Sequence, residues 1–261
     1  RPRHAQALVK AYAADGQPLR VYACGGDGTL NEAAAGAVGL PHVAVTQFPF
    51  GSGNDFIKLF GEGRERFFSL DQLLDADEAV IDMIRCNDRW CMNICSIGLD
   101  ARIGTSIAQY KRLPLVTGKG AYFLSTAVNV VRGIHQHYTV SLDGAEPLDQ
   151  DFTMVCICNG RWYGGSFNPV PTALPDDGLL DVLLVEPVSR LQVATVIGKY
   201  AQGNYAQRPD IIRHHQCRSI HMTMEPNTTI NIDGELILAD HADIELVPQS
   251  LHIFYPKGLH W

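Results

Sequence analysis

Two glycine-rich loops, one strand-and-helix unit apart, constrain this chain more than any other feature. Gly25-Gly26-Asp27-Gly28-Thr29 follows the strand-like run Leu19–Ala23 and opens an alanine-rich helix, Thr29–Ala37. Gly51-Ser52-Gly53-Asn54-Asp55 follows the apolar run Val43–Phe48 and opens a helical pattern from Asn54 to Phe60. A further helix is expected at Pro2–Ala14. This βαβα rhythm predicts a parallel sheet with helices packed on it. Ligands of such sheets sit beyond the C-terminal strand ends, where both loops would line one crevice.

Glycine lets the backbone approach a ligand closely, and a helix N-terminus offers free N–H groups to phosphate. Asp27 is the odd member, because a carboxylate repels phosphate. It fits as a ligand in a metal or water network, or as a plain helix cap. Ser52 could donate to a phosphate or a base, while Asn54 and Asp55 could cap the second helix or join the network. A purely structural turn explains either loop alone; their recurrence argues against it. Neither loop has the spacing of a Walker A loop or of G-x-G-x-x-G.

Composition narrows the class. The 261 residues are 46% hydrophobic and 19% charged, which excludes global disorder. A net charge of −7 argues against a broad nucleic-acid-binding face. The longest uncharged stretch, between Glu32 and Asp55, is broken by glycines and prolines. The apolar run Ala121–Val131 is well short of the ~20 residues of a membrane-spanning helix, and the polar start RPRHAQALVKAY does not read as a signal peptide. Seven cysteines without a C-x-x-C pair read as reduced thiols packed as small hydrophobes in a cytoplasmic protein.

Beyond residue 78 the pattern changes to strands with tight turns. They are expected at Ala79–Cys86, Arg89–Ser96, Tyr138–Asp143, Phe152–Asn159, Leu180–Glu186, Ser219–Met224, Thr228–Asp233, Ala242–Val247 and Leu251–Tyr255. Helices are expected near Ala101–Tyr110, Lys119–Ile134 and Ser189–Gln202. Such a series predicts a β-sandwich lobe.

Two acidic turns stand out within it. Asp233-Gly234-Glu235 places two carboxylates close together, which raises the pKa of one and suits it to proton acceptance. An Asp-Gly hairpin turn with a solvated Glu235 is the structural alternative. Leu174-Pro175-Asp176-Asp177-Gly178-Leu179 could bind Mg²⁺ or Ca²⁺ through one carboxylate and nearby carbonyls, or be a simple turn. Tyr163-Gly164-Gly165 suggests close approach of backbone to a ligand or another strand. The ten histidines form no ligand cluster, and His214-His215 read as exposed.

Taken together, Gly25–Thr29 with Asn31-Glu32, the Gly51–Phe56 loop, Asn93–Ala101, Asn159-Gly160 with Gly164-Gly165, Pro175–Asp181 and Asp233–Glu235 resemble the diacylglycerol kinase catalytic domain family. That family includes soluble bacterial diacylglycerol kinases, YegS-like lipid kinases, and the sphingosine and ceramide kinases. The resemblance covers nearly the whole chain in the right order. The first loop is shared with NAD kinases; the second loop and the two acidic turns are more specific to lipid kinases.

The resemblance implies an α/β nucleotide-binding lobe at residues 1–78, a β-sandwich substrate lobe at 79–247, and a tail at 248–261 that returns to the first lobe. ATP would bind in the cleft, held by Gly25, Gly26, Asp27, Gly28 and Thr29 with Asn31 and Glu32, and by Gly51, Ser52, Asn54 and Asp55. Glu235 matches the proton acceptor, with Asp233 as its rival. Mg²⁺ would sit on Asp177 with the carbonyls of Leu174 and Leu179. The implied reaction moves the γ-phosphate of ATP to a lipid hydroxyl, foremost that of diacylglycerol, in a cytoplasmic enzyme touching the membrane peripherally. Apolar residues at Leu113–Val116 and Tyr122–Val131 would form the lipid groove, or be ordinary core. A homodimer, a NAD-kinase-like activity and a non-catalytic binding protein stay open. Family members usually carry a strand, an Asn-Pro phosphate loop, a helix and a second strand ahead of the helix at Pro2–Ala14, which leads here.

Overall fold

The computed structural model describes residues 3–110, 125, 128, 129 and 133–261. Helix α1 (His4–Tyr12) precedes strand β1 (Leu19–Gly25), helix α2 (Asp27–Ala37) and strand β2 (Val43–Pro49). β1 and β2 run parallel, in register from Leu19–Val43 to Gly25–Pro49. Six of the seven β2 residues are buried, as a strand covered on both faces requires. The two helices pack tightly: a Cβ at Gly36 would lie 2.8 Å from the Val9 side chain.

The helix expected from Asn54 is instead a 3-10 turn, Phe56–Phe60. Asn54 sits at φ 49°, outside the helical region, and the amides of Asn54 and Asp55 are bound to Asp27. Phe56 and Phe60 are buried nonetheless, so the apolar pattern marked a core contact rather than a helix.

Short helix α3 (Leu70–Leu74) leads to β3 (Ala76–Cys86), β4 (Arg89–Cys91), β5 (Ile94–Gly98) and helix α4 (Leu99–Tyr110). The expected single strand Arg89–Ser96 is thus two, broken where the amides of Met92 and Asn93 turn to Asp233. Then come β6 (Gln136–Leu142), β7 (Leu148–Phe152), β8 (Met154–Cys158), β9 (Leu180–Val185) and helix α5 (Arg190–Ala201). Ser189 and Gln192 form a capping box that fixes the start of α5. β10 (Ile212–Cys217), β11 (Ser219–Ile232) and β12 (Glu235–Pro256) complete the chain.

The sequence pattern missed β10. His214 there is half-buried, with Nε2 2.7 Å from Asp181, rather than exposed. The four strands expected from Ser219 to Tyr255 are two long ones, each with one irregularity, at Thr223/Thr228 and at Val247/Leu251.

Among the described residues the strands form one mixed sheet of twelve, with the path β1-β2-β12-β11-β5-β8-β9-β10. β12 pairs with β11 over its first half, Glu235–Glu245, with β3 over its second half, Ile244–Pro256, and in parallel with β2 at His252 and Ile253. The end of β12 therefore extends the sheet of the first lobe, and Trp261 packs on Phe60 and Tyr255 there. One core lies between this sheet and α2, around Leu30, Val45 and Phe67. A second lies inside the β lobe, and a third lies beneath α5. All seven cysteines are unpaired and six are buried. The stretches Leu113–Val116, Lys119–Leu124 and most of Tyr122–Val131 lie outside the described residues.

Candidate active site

The two glycine-rich loops are stitched to each other. Asp27 does not cap its own helix; Gly26, in extended conformation, holds the cap position. The Asp27 carboxylate instead accepts the Asn54 and Asp55 N–H groups, at 2.9 and 2.5 Å. Glycine is needed for the contact itself: a Cβ at Gly51 would lie 2.4 Å from Gly26 Cα, and one at Gly53 would lie 2.5 Å from Asp27 Oδ2. Gly28 differs, because a Cβ there would meet open space. Protein packing therefore does not require glycine at this position. Burial raises the Asp27 pKa, the Asp55 charge raises it further, and the two amides oppose both.

Asn54 folds its own loop, accepting Gly51 N–H at 3.0 Å and donating to Gly51 O at 2.9 Å. Asp55 faces the β lobe, where it accepts Gly165 N–H at 3.0 Å. Lys58 Nζ lies 2.6 Å from both Asp55 Oδ1 and Gly165 O. This buried ion pair fixes the second loop against the Tyr163-Gly164-Gly165 segment.

Between these elements lies a cavity of about 420 Å³. Its polar lining includes Asp27, Ser52, Asp55, Asn93 and Asp233. Its apolar lining includes Leu99, Ile103, Met154, Phe167, Ile197 and Leu236. Asp100, in the first turn of α4, also lines it.

The Asp233-Gly234 turn is the two-residue hairpin between β11 and β12, with Ile232 paired to Glu235. Its φ values, 48° and 89°, are the positive angles a type I′ hairpin demands. The Asp233 carboxylate accepts N–H groups from Met92 at 2.5 Å, Asn93 at 3.1 Å and Ile94 at 3.0 Å. Burial pushes its pKa up to about 6 against those three bonds. A neighbouring carboxylate is not the cause expected from the spacing, for Glu235 points elsewhere. It is half exposed, outside the cavity lining, and 3.2 Å from Arg89 Nη1.

Asn31 and Glu32 also lie apart from the cavity. Asn31 donates to Trp90 O at 3.2 Å, and Glu32 accepts the Arg3 and Ala5 N–H groups at the start of α1. Gly25 lies against the Thr29 side chain, which a Cβ there would meet at 2.4 Å.

Leu174, Asp177 and Leu179 sit in a separate turn pinned by Asp82, which binds Gly178 N–H at 2.9 Å and whose own N–H donates to Pro175 O. Asp177 accepts Leu179 N–H at 3.0 Å. Burial raises its pKa, and Asp181, Asp82 and Asp176 raise it further. This concentration of negative charge and hard oxygen donors fits a divalent cation. Among the described residues no three His, Cys, Asp or Glu side chains gather to hold a metal, so a cation there would depend on Asp177 and main-chain oxygens.

Lys58, Tyr200 and Asn231 are not singled out by the sequence, while Tyr163 and Asp100 fall in segments that are, without a role of their own. Asp100 carried a readable signal. It follows Gly98, at φ 114°, whose Cβ would lie 2.7 Å from Met154 Cα, at a strand-to-helix junction. Among the described residues no helix is long and apolar enough to cross a membrane.

Comparison with known proteins agrees with this architecture. The model of the YegS C-terminal NAD kinase beta sandwich-like domain matches residues 93–255, and that of the diacylglycerol kinase catalytic domain matches residues 1–86. A Staphylococcus aureus (strain JH9) protein named "Putative lipid kinase" is 26% identical over 252 residues, covering 96% of this chain and 81% of its own. The crystal structure of a "putative diacylglycerol kinase" from Bacillus anthracis str. Sterne superposes with a TM-score of 0.76 at 23% identity, covering 98% of this chain and 84% of its own. A second from the same organism, titled a diacylglycerol kinase, gives a TM-score of 0.72 at 20% identity over 100% of this chain and 84% of its own.

Proposed function

This chain belongs to the family joining the diacylglycerol kinase catalytic domain to the YegS-type β-sandwich domain and is a phosphotransferase with an alcohol acceptor, and we propose that it moves the γ-phosphate of ATP to the free hydroxyl of a diacylglycerol. The observation that carries this reading is the two-natured cavity. Carboxylates with Ser52 and Gly53 of the second glycine-rich loop line it, together with apolar side chains that suit an acyl chain.

ATP with its magnesium would lie along the first loop, with phosphate over the open face at Gly28 and near Ser52. The acceptor oxygen attacks the γ-phosphorus, the bond to the bridging oxygen of ADP breaks, and the hydroxyl proton leaves to a carboxylate. We assign that proton to Glu235, the position matching the family's proton acceptor. Its neighbours Gly234 and Leu236 line the cavity; Glu235 itself is exposed and paired with Arg89, so it would have to leave that pair and turn toward the cavity to take the proton. Asp233 borders the cavity already, but three amides engage its oxygens, which suits it to anchoring the turn. Mg²⁺ at Asp177, with the carbonyls of Leu174 and Leu179, would brace the turn leading into β9. The lipid would be met at a membrane surface by peripheral contact.

Incubation with labelled ATP and a panel of diacylglycerol, sphingosine, ceramide and NAD tests this. Label on diacylglycerol that disappears in Glu235→Gln, with ATP binding retained, is the expected result. Label on NAD alone, or ATP binding without transfer, overturns it.

A further inference from the structure

The cavity wall holds a buried series of polar groups that phosphoryl transfer, as described above, does not use. It starts on α5 at Tyr200, 2% exposed, whose hydroxyl is 2.8 Å from that of Tyr163. Tyr163 donates to Asp100 Oδ2 at 3.2 Å, so its oxygen is left to accept the Tyr200 proton. Ser96 also bonds Asp100, and Ser96 Oγ accepts from Asn231 Nδ2 at 3.3 Å. Asn231 Oδ1 in turn accepts Gly234 N–H at 2.8 Å. Hydrogen bonds therefore run from α5 through Asp100 to the turn that carries Glu235.

Resting on the phosphotransferase reading, the geometry points to Tyr163 and Tyr200 as positioning residues that act in series to hold the Asp100 carboxylate where the acceptor hydroxyl enters. Asp100 is suited to that place. Leu99 and Ile103 of its own helix line the same cavity, as do Asn93 and Asp233. A carboxylate at this place can accept the hydrogen bond of an acceptor hydroxyl and orient its oxygen. Asp100 Oδ1 is buried and has no partner of good geometry.

The packing at this point needs rings but not hydroxyls. Tyr163, Tyr200 and Phe167 pack against one another, and phenylalanine would fill the same space. Buried hydroxyls carry a desolvation cost that only their hydrogen bonds offset. Asp100 is faced by Tyr163 from the loop after β8 (with Tyr200 of α5 behind it), by Ser96 from β5, by the N–H of Ala101, by Arg102 from its own helix and, through its charge, by Tyr138 of β6. Asp27, Asp55 and Asp233 share its cavity. Burial raises the Asp100 pKa, and the Ser96 and Tyr163 bonds oppose it. Without the Tyr163 hydroxyl the charged form loses a donor, so the Asp100 pKa moves up.

The test is the pH profile of kcat for the full chain, with Tyr163→Phe, Tyr200→Phe and the double variant. The expected results are a fall in kcat of about tenfold in Tyr163→Phe and an acid limb moved to higher pH. KM for ATP should be unchanged. Tyr200→Phe should give a smaller change of the same kind. Because the bonds run in series, the double variant should equal Tyr163→Phe. An unmoved acid limb in Tyr163→Phe, or effects of the two variants that add, overturns the proposal. A parallel ¹³C-carboxylate NMR titration, with the Asp100 signal assigned by its loss in Asp100→Asn, needs no turnover. It should show the Asp100 titration moved up in Tyr163→Phe, and no movement overturns the relay. Absence of any lipid phosphorylation by the unmodified protein, with the NMR shift present, would sink the lipid-kinase reading and leave the relay standing.

Discussion

The carboxylate of Asp27, in the first glycine-rich loop, accepts the main-chain N–H of Asn54, in the second, at 2.9 Å. The bond joins two separate glycine-rich turns into one edge of the cavity. Asp27→Ala should leave the Asn54 and Asp55 amides without that acceptor, costing on the order of 2 kcal/mol of stability. It should also lower ATP affinity at least tenfold. Urea unfolding and ATP titration check both. An Asp27→Ala protein with unchanged stability would contradict the loop stitching.

Gly51 and Gly53 give a sharper version of the same test. Alanine at 51 would press on Gly26 Cα, which is backbone and cannot rotate away. Alanine at 53 would press on the Asp27 carboxylate. Each should cost about 1–3 kcal/mol by overpacking and reduce phosphotransfer by more than tenfold. Gly28→Ala, which meets nothing, should fold as the parent does and lose activity only through ATP binding. Melting temperatures against ATP affinity separate the two outcomes.

Lys58 and Asp55 form an ion pair whose side chains are only 15% and 7% exposed. Lys58→Ala strands a buried carboxylate and should cost about 3 kcal/mol or more. The double variant Lys58→Met with Asp55→Asn should recover part of that loss. Chemical denaturation of the three proteins decides it; a single variant no worse than the double would sink the claim.

Asp233 ties stability to pH. Its folded pKa of about 6 lies above the ordinary aspartate value of 3.8, so folding favours its protonated form. Its contribution is fully present below about pH 4 and is lost as pH rises through 6. The unmodified protein should therefore lose stability relative to Asp233→Asn between pH 4 and pH 7, on the order of 1–2 kcal/mol. Paired denaturation curves at the two pH values measure this. A gap that widens in favour of the unmodified protein would reverse the sign.

The acidic turn at Asp177 predicts a metal effect without catalysis. Millimolar Mg²⁺ should raise the melting temperature of the unmodified protein, and chelation should remove the gain. Asp177→Asn should show neither. Equal shifts in both proteins would place the cation elsewhere.

Much of the fold was legible because local chemistry and tertiary structure agree there. The β1-loop-α2-β2 unit follows from glycine at a strand end and apolar periodicity. Disagreements arise where a distant group takes over the backbone. Asp233 lies some 140 residues from the Met92, Asn93 and Ile94 amides it binds, and it splits an apparently continuous strand. Asp27 turns an apparent helix into a 3-10 turn in the same way. β10 was unreadable because Arg213, His214, His215 and Gln216 are polar, and its pairing with β9 alone supplies the reason for a strand. In the candidate site, the glycine motifs announced the two loops that meet there. The Tyr163-Gly164-Gly165 segment was legible only as a place of close backbone approach, and Tyr200 was not legible, because a buried tyrosine looks like core until its hydroxyl partner is seen.

Strand β12 has a mechanical consequence. Its 22 residues belong first to the β lobe and last to the sheet of the nucleotide lobe. Enzymes that clamp shut usually bend at a few residues free to change φ and ψ. Here the chain offers one such joint along the strand, the irregularity between Val247 and Leu251, where Gln249 sits at φ 45°. That joint is bolted: buried Asp82 holds the Gln249 N–H at 2.7 Å with one oxygen and the Gly178 N–H with the other. One buried carboxylate thus spans the joint, and any bending of β12 at Gln249 has to break its bond to Asp82.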